Sequence, residues 1–439
     1  MKIAVIGSGI TGLGTAYALH KNHQVKLFEQ SDRFGGHSNT IEVERDGKSF
    51  SVDTGFIVYN NLNYPNLKGL FDHLDVPTKW SDMSFGFSKN NGNVEYACDN
   101  LDKIFAQRLN LVNVNFIRGL LEILRFNREA PVELDRGSLE TLSLGEYLSL
   151  KRHGKWFADN FILPLGSAIW STPTSDILKF PAINFISFFR NHDLLMGMSQ
   201  AQFRWRTVEG GSKVYVSKIL NALGPKAIKN RKVCKVERVS NGVNLTFLDG
   251  SSEQFEQVIC CTHAPQAMNI LADLSEQEKA LLSSFKTSEN KAILHSDTSL
   301  MPKREKVWSS WNFFSYDQAK QEKLASVTYW MNRLQGFDKR YPFFVTLNPL
   351  KEPDSSTVYA EFHYNHPVFD KKTFEAQKSL NLIQGMGGIW YAGAWLGYGF
   401  HEDGLTSGLR VACSLGIKTS WAQKLEPFDN ASNFLKAAE

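Results

Sequence analysis

Gly7-Ser8-Gly9-Ile10-Thr11-Gly12 follows a short β-branched run at residues 2–6 and precedes an alanine-bearing stretch, 13–21, of helical character. In a strand, tight turn and helix, G-x-G-x-x-G does three things. Gly7 lets the chain turn sharply, Gly9 lets the backbone approach a pyrophosphate, and Gly12 lets the helix lie close to the strand. The helix N-terminus, where Ile10 and Thr11 sit, then faces the phosphate charge. A second strand, 24–28, ends on Glu29, with Gln30 beside it. A carboxylate there is placed to accept hydrogen bonds from both ribose hydroxyls, and it disfavours a 2′-phosphate. These residues predict a dinucleotide site and leave NAD and FAD both open.

Residues 31–38 read SDRFGGHS. They place a second glycine pair, a cation (Arg33) and His37 beside the same pyrophosphate, with Gly36 at close approach, an arrangement a NAD site does not need. Two further strand ends reach glycine, Val52-Asp53-Thr54-Gly55 and Trp390-Tyr391-Ala392-Gly393. Glu402-Asp403-Gly404 then opens a helix running to about Gly416, with Asp403 read as its N-cap. The set points to a flavin, whose N5 takes a hydride from a substrate carbon while the protein orients that carbon and excludes water. The positive end of the helix opening at Gly404 suits charge developing at N1 and C2=O. Trp395, Tyr398 and Phe400 either pack the turn before it or face substrate. If a proton must also leave, His401, Tyr398 and His37 are the candidate bases.

These residues resemble the FAD-dependent amine-oxidase and phytoene-desaturase superfamily. The strings DRFGGHSNT, VDTGFIVYN, SDMSFGFS, LPLGSAIWS, WRTVEGGS, TYWMNRLQ and GYGFHEDGLTSGL are further similar to the flavoproteins often encoded beside cyclopropane-fatty-acid synthases. The resemblance runs from Met1 to about Gly416. It implies FAD as cofactor, with Gly7, Gly9, Ile10, Thr11 and Gly12 at the pyrophosphate and Glu29 at the adenosine ribose. Arg33, Gly36 and His37 would meet the phosphate and ribityl region, Val233 the adenine. Gly393, Glu402, Asp403, Gly404 and Leu405 would line the flavin. It also implies Phe400 as one wall of an aromatic cage and Lys291 as a flavin-facing lysine, the alternative being an exposed strand lysine. Asp403 departs from the superfamily, which usually has glycine there, and a carboxylate that close would lower the flavin potential.

Composition excludes other classes. Aromatics make up 12% of 439 residues and charged residues 21%, against disorder. No apolar run reaches the length of a spanning helix. A net charge of +4 gives no footprint for nucleic acid. The five scattered cysteines and eleven histidines show no disulfide framework or metal-ligand spacing, so no metal is expected, and a reducing cytoplasmic setting is. The N-terminus has a lysine before an apolar stretch, but signal-peptide cleavage would remove the glycine motif.

The resemblance implies an α/β fold: a discontinuous Rossmann-type FAD-binding domain plus an α+β substrate domain with an antiparallel sheet and a helical insertion. The FAD domain takes residues 1–60, 205–270 and 385–420. The substrate domain takes a largely helical part, 61–204, and a sheet part, 271–384, with strand-like runs between 290 and 362. Residues 421–439 read as a loose tail. Residues 101–126 read as one amphipathic helix, packed on its own domain or touching a membrane. The expected function is an FAD-dependent oxidoreductase taking a hydride from a long apolar substrate, a methylated, cyclopropane or unsaturated fatty acyl chain. The alternatives are a fatty-acid double-bond isomerase, a non-catalytic flavoprotein partner of a lipid methyltransferase, and an amine oxidase. The electron acceptor would be oxygen, a quinone or a carrier protein. Membrane contact would be at most peripheral, at the inner surface.

Overall fold

The structure is a computed structural model describing residues 1–192, 194, 205–315 and 326–428. Aliphatic strands Lys2–Ile6, Gln24–Phe28, Ala227–Ile228, Gln257–Cys260 and Ile389–Tyr391 form one five-stranded parallel sheet. Lys2–Ile6 lies at its centre, between Gln24–Phe28 and Gln257–Cys260, and Ile389–Tyr391 closes one edge. Strands of a parallel sheet are buried on both faces, so alternate residues feed two cores. Ile3, Val5, Val25 and Leu27 meet Leu13, Ala16 and Leu409 on one side. Ala4, Ile6, Phe28 and Val258 meet Val236, Leu245 and Phe255 on the other. Helices Ile10–Leu19, Lys213–Leu223 and His401–Ser414 cover the first face. An antiparallel meander, Val233–Val239, Gly242–Phe247 and Ser252–Phe255, covers the second. Every strand of the sheet falls within 1–60, 205–270 or 385–420.

A second, seven-stranded sheet runs in the order Val358–Val368, Lys286–His295, Phe344–Leu347, Ser326–Trp330, Trp311–Ser315, Phe85–Lys89, Val94–Ala97. It is antiparallel except where Phe85–Lys89 runs parallel to Trp311–Ser315. The segment 61–204, read as largely helical, therefore contributes the last two strands at one end of the sheet. Trp205–Val208, assigned to the FAD domain, also pairs with Tyr59–Asn60 and Thr78–Trp80.

The single helix expected over 101–126 is three pieces: Leu101–Ile104, Arg108–Leu111 and Val114–Asp135. The break has a local cause, because the Asn113 side chain accepts from the backbone N–H groups of Asn115 and Phe116 and starts a new helix there. Part of the supposed tail is held. The Gln423 amide donates to Asn66 Oδ1 at 2.8 Å, and the buried Phe428 donates its amide to Ser414 Oγ at 2.9 Å. Residues 429–439 lie outside the described residues. No described helix is long and apolar enough to cross a membrane.

Candidate active site

A cavity of about 670 Å3 runs from the first glycine turn to the seven-stranded sheet. At one end Gly7, Gly9, Ile10 and Thr11 face Glu29, Gln30 and Val233, with Arg231 and Lys232 beside them. Gly36, His37, Thr54, Gly55, Thr262, His263 and Gly393 surround its middle. Tyr398, Phe400 and His401 border the far part, which is walled by Met83, Phe85, Leu165, Ile169, Trp170, Val345 and Leu347.

The turn at its head is built as the glycine spacing demands. Gly7 takes φ +97°, and a Cβ on Gly12 would lie 1.8 Å from the Gly7 carbonyl oxygen. Gly12 thus serves the contact of helix and strand and does not line the cavity. Gly9 differs. Its backbone, φ −64° and ψ −179°, suits any residue, and a Cβ there meets no protein atom within 4 Å. The chain's own packing does not require glycine at position 9, so the space in front of it fits a group from outside the chain, as a pyrophosphate would be.

Glu29 accepts from the amide and hydroxyl of Ser8 on one oxygen and from those of Ser31 on the other, at 2.6–3.0 Å. Burial opposes its ionisation, but these four donors prevail and hold the carboxyl below its ordinary range. The carboxylate is thereby fixed as an acceptor. Arg33 does not reach the cavity; its guanidinium donates to the Gly36 carbonyl at 2.9 Å and braces the loop in which Gly35 and Gly36 both take positive φ. His37 stacks on Tyr364 at 4.8 Å and lies near His366 and His263. Its Nε2 is buried with no hydrogen-bond partner among the described residues, an orphaned polar atom that suits a bound cofactor.

The C-terminal stretch is arranged differently from the expectation. The helix opens at His401, not at Gly404, and its N-cap is Phe400. Asp403 is the third residue of the helix, and its Oδ2 accepts from the Phe400 amide at 2.9 Å. It is not an N-cap, and it faces the Gly397 turn and a small cleft beside Arg410, away from the cavity. Glu402 caps a neighbouring helix, Pro65–His73, by accepting from the amides of Asn66 and Leu67. Gly404 lies against Thr11, and Leu405 is buried against Gly14. None of these four residues lines the cavity. Lys291 is turned outward to Glu352 and Glu361.

Burial pushes the Asp403 carboxyl up to about 7, despite the hydrogen bonds from Phe400 and Tyr398. A carboxyl whose folded pKa exceeds its unfolded value takes up a proton on folding between the two. Stability is therefore lost as pH rises from about 4 to about 7. The cleft leaves Asp403 partly solvated, so the loss is about 1–2 kcal/mol. Asp403→Asn is expected to raise Tm at pH 8, with the gain shrinking toward pH 4, while the reduction potential of the bound flavin stays unchanged. A potential that moves in the variant would put the carboxylate back beside the ring.

The remaining candidates are mostly engaged. His401 Nε2 bonds Ser38 Oγ at 3.1 Å, its ring stacks on Phe56 at 3.8 Å, and burial pulls its pKa down to about 3. The Tyr398 hydroxyl accepts from Asn184, and Phe188 stacks on Phe400 with centroids 5.0 Å apart. Sequence reasoning missed Ser8, Phe56, Arg231, Thr262, His263, Tyr364 and His366. Thr262 and His263 follow the carboxyl end of strand Gln257–Cys260, where open α/β sheets bind ligands, and that signal was available.

The family model for flavin-containing amine oxidoreductases matches residues 10–342. The chain belongs to this family. As a flavin-containing amine oxidoreductase it is an FAD-dependent enzyme, and the glycine turn, Glu29 and the open space at Gly9 are the residues suited to hold the cofactor. An L-amino-acid oxidase of Bothrops moojeni is 23% identical over 289 residues, 61% of this chain and 53% of the relative. The chain spans about half the length of the curated relatives it matches. A redesigned putrescine oxidase superposes with TM-score 0.67 at 15% identity over 94% of this chain and 98% of its own. A fatty acid isomerase from P. acnes gives 0.65 at 13% identity, over 93% and 96%. At these identities the likeness is one of fold.

Proposed function

We propose that this flavin-containing amine oxidoreductase dehydrogenates a long apolar substrate, a methylated, cyclopropane or unsaturated fatty acyl chain, rather than an amine or amino acid. One observation carries the reading. Among the described residues lining the cavity, the carboxylate, guanidinium and ammonium side chains are Glu29, Arg231 and Lys232, all at its nucleotide end; the other basic groups are the imidazoles of His37, His192, His263, His366 and His401. Ammonium and carboxylate groups taken from water need a counter-charge or several hydrogen bonds, and the far half offers Phe85, Leu165, Trp170, Phe188, Val345, Leu347 and Phe369. An alkyl chain is matched by that lining. Phe188 also stacks on Phe400 at 5.0 Å, so one face of the expected cage wall is covered by an apolar ring.

Bound FAD would supply the hydride acceptor. The chain's part is to align an alkyl carbon along the apolar wall, exclude water and take the departing proton. Of the three bases read from the sequence, His401 and Tyr398 are engaged with Ser38 and Asn184, and the unpartnered Nε2 of His37 is the atom that suits the cofactor, so the three stay equal candidates for the departing proton. Burial, and then the neighbouring His366, His263, His401 and Arg33, pull the His37 imidazole well below its ordinary pKa, which keeps it neutral as a hydrogen-bond partner and disfavours its protonation.

The test is anaerobic mixing of the yellow holoenzyme with acyl lipids, putrescine and L-amino acids. Lasting loss of flavin absorbance with unsaturated, methylated or cyclopropane acyl chains is expected, and none with the charged compounds. Bleaching by an amine alone would overturn the proposal. A relocated double bond without lasting reduction would make the enzyme an isomerase.

A further inference from the structure

Helix Val114–Asp135 is apolar on both of its faces. Phe116, Gly119, Ile123, Phe126 and Ala130 face the protein, and Gly119 lies against the Trp156 ring. That accounts for the inner stripe. The outer stripe, spaced at three and four residues, reads Val114, Arg118, Leu121, Leu124, Arg128, Val132, and its leucines are 60% and 57% exposed. The turn before the helix adds Leu109 and Val112, 82% and 79% exposed. A surface helix ordinarily turns a polar face to water, and a contiguous apolar face left outside marks a contact.

The charges within the stripe, Arg118 and Arg128, share one sign. No stripe position is acidic. Glu129, beside the stripe, lies 3.5 Å from Arg128 and 3.9 Å from Arg125. Asp135, at the helix end, is paired with Arg190, and Asp102 with Arg108 and Lys306. Arg125 also reaches the Lys151 carbonyl, which brings the segment carrying exposed Leu150, Arg152 and Lys155 alongside the helix, Lys155 lying 4.0 Å from Asp159. Leucines interleaved with arginines one turn apart fit a surface whose interior is hydrocarbon and whose rim is anionic, with guanidinium groups at headgroup level.

We propose that this face docks the protein on the surface of an anionic phospholipid bilayer, with Val114–Asp135 lying in the interface plane and nothing crossing it. The docking does not depend on the substrate proposed above. FAD-loaded full-length protein is sedimented with vesicles of phosphatidylglycerol mixed with phosphatidylcholine, and with phosphatidylcholine alone. The protein is expected to pellet with the anionic vesicles and to be released by salt. Leu121→Ser with Leu124→Ser should lower the partition coefficient about tenfold. Arg118→Gln with Arg128→Gln should remove the preference for anionic lipid. Because these side chains face solvent, both variants should keep the wild-type Tm and flavin spectrum. Wild-type protein that ignores the vesicles, or leucine variants that bind like wild type, would overturn the proposal. A wild-type dimer that the leucine changes dissolve, with no vesicle binding, would assign the face to a second copy and equally defeat it.

Discussion

Gly9→Val is expected to give a folded, colourless protein. The backbone at position 9 is one that valine adopts without strain, and the first carbon of the new side chain meets no protein atom. Replacing glycine at such a position costs the native state little and restricts the unfolded chain. What the side chain occupies is the mouth of the cavity in front of the helix Ile10–Leu19, the place proposed for the FAD diphosphate. A loss of roughly a thousandfold in Kd, about 4 kcal/mol, is expected. It is read as the flavin-to-protein ratio of the purified variant beside a circular dichroism spectrum matching wild-type apoprotein. Normal flavin content would refute the phosphate assignment.

Gly12→Ala, three residues on, should fail in the opposite manner. Its new methyl would stand 1.8 Å from the Gly7 carbonyl oxygen. Both atoms belong to backbone held by the central strand and the first helix, so neither yields cheaply. Overpacking of this kind costs about 3 kcal/mol or more, and the same helix already meets His401–Ser414 closely, where Gly408 faces Thr15 Oγ1 and Gly404 faces Thr11 Oγ1. The variant is expected to lower the Tm of the apoprotein markedly, and flavin loss follows from that. An apoprotein as stable as wild type would show that helix and strand can separate. The pair divides one motif into a glycine required by the ligand and a glycine required by the fold.

What was legible from sequence follows from how local each signal is. Gly7, Gly9, Gly12 and Glu29 stand at fixed offsets within one strand-turn-helix-strand unit, and the structure puts Glu29 against Ser8 of the same turn. The three-segment division came from the resemblance, and all five strands of the parallel sheet lie within those segments. His366 and Tyr364 were not, since they come from a strand more than three hundred residues from His37 and carry no spacing signal. Lys291 shows the strand parity problem: Asn290 and Ala292 are buried while Lys291 turns out to its glutamates, and a shift of one residue exchanges the faces. For Glu402 and Asp403 the residue types were read correctly as helix-terminal acids, but which amides they satisfy depends on Pro65–His73 and on the Gly397 turn, both set by tertiary packing.

The parallel sheet that holds the glycine turn is closed at its edge by Ile389–Tyr391, and its first helix is covered by His401–Ser414. In the order of synthesis this makes the first motif wait for the last. At ribosomal rates the interval is on the order of tens of seconds, during which Ile3, Val5 and Leu13 lack the cover that His401–Ser414 gives. Cofactor capture therefore waits for Ile389–Tyr391 and His401–Ser414, so that yellow colour in a molecule of this protein certifies that its chain has been made at least that far.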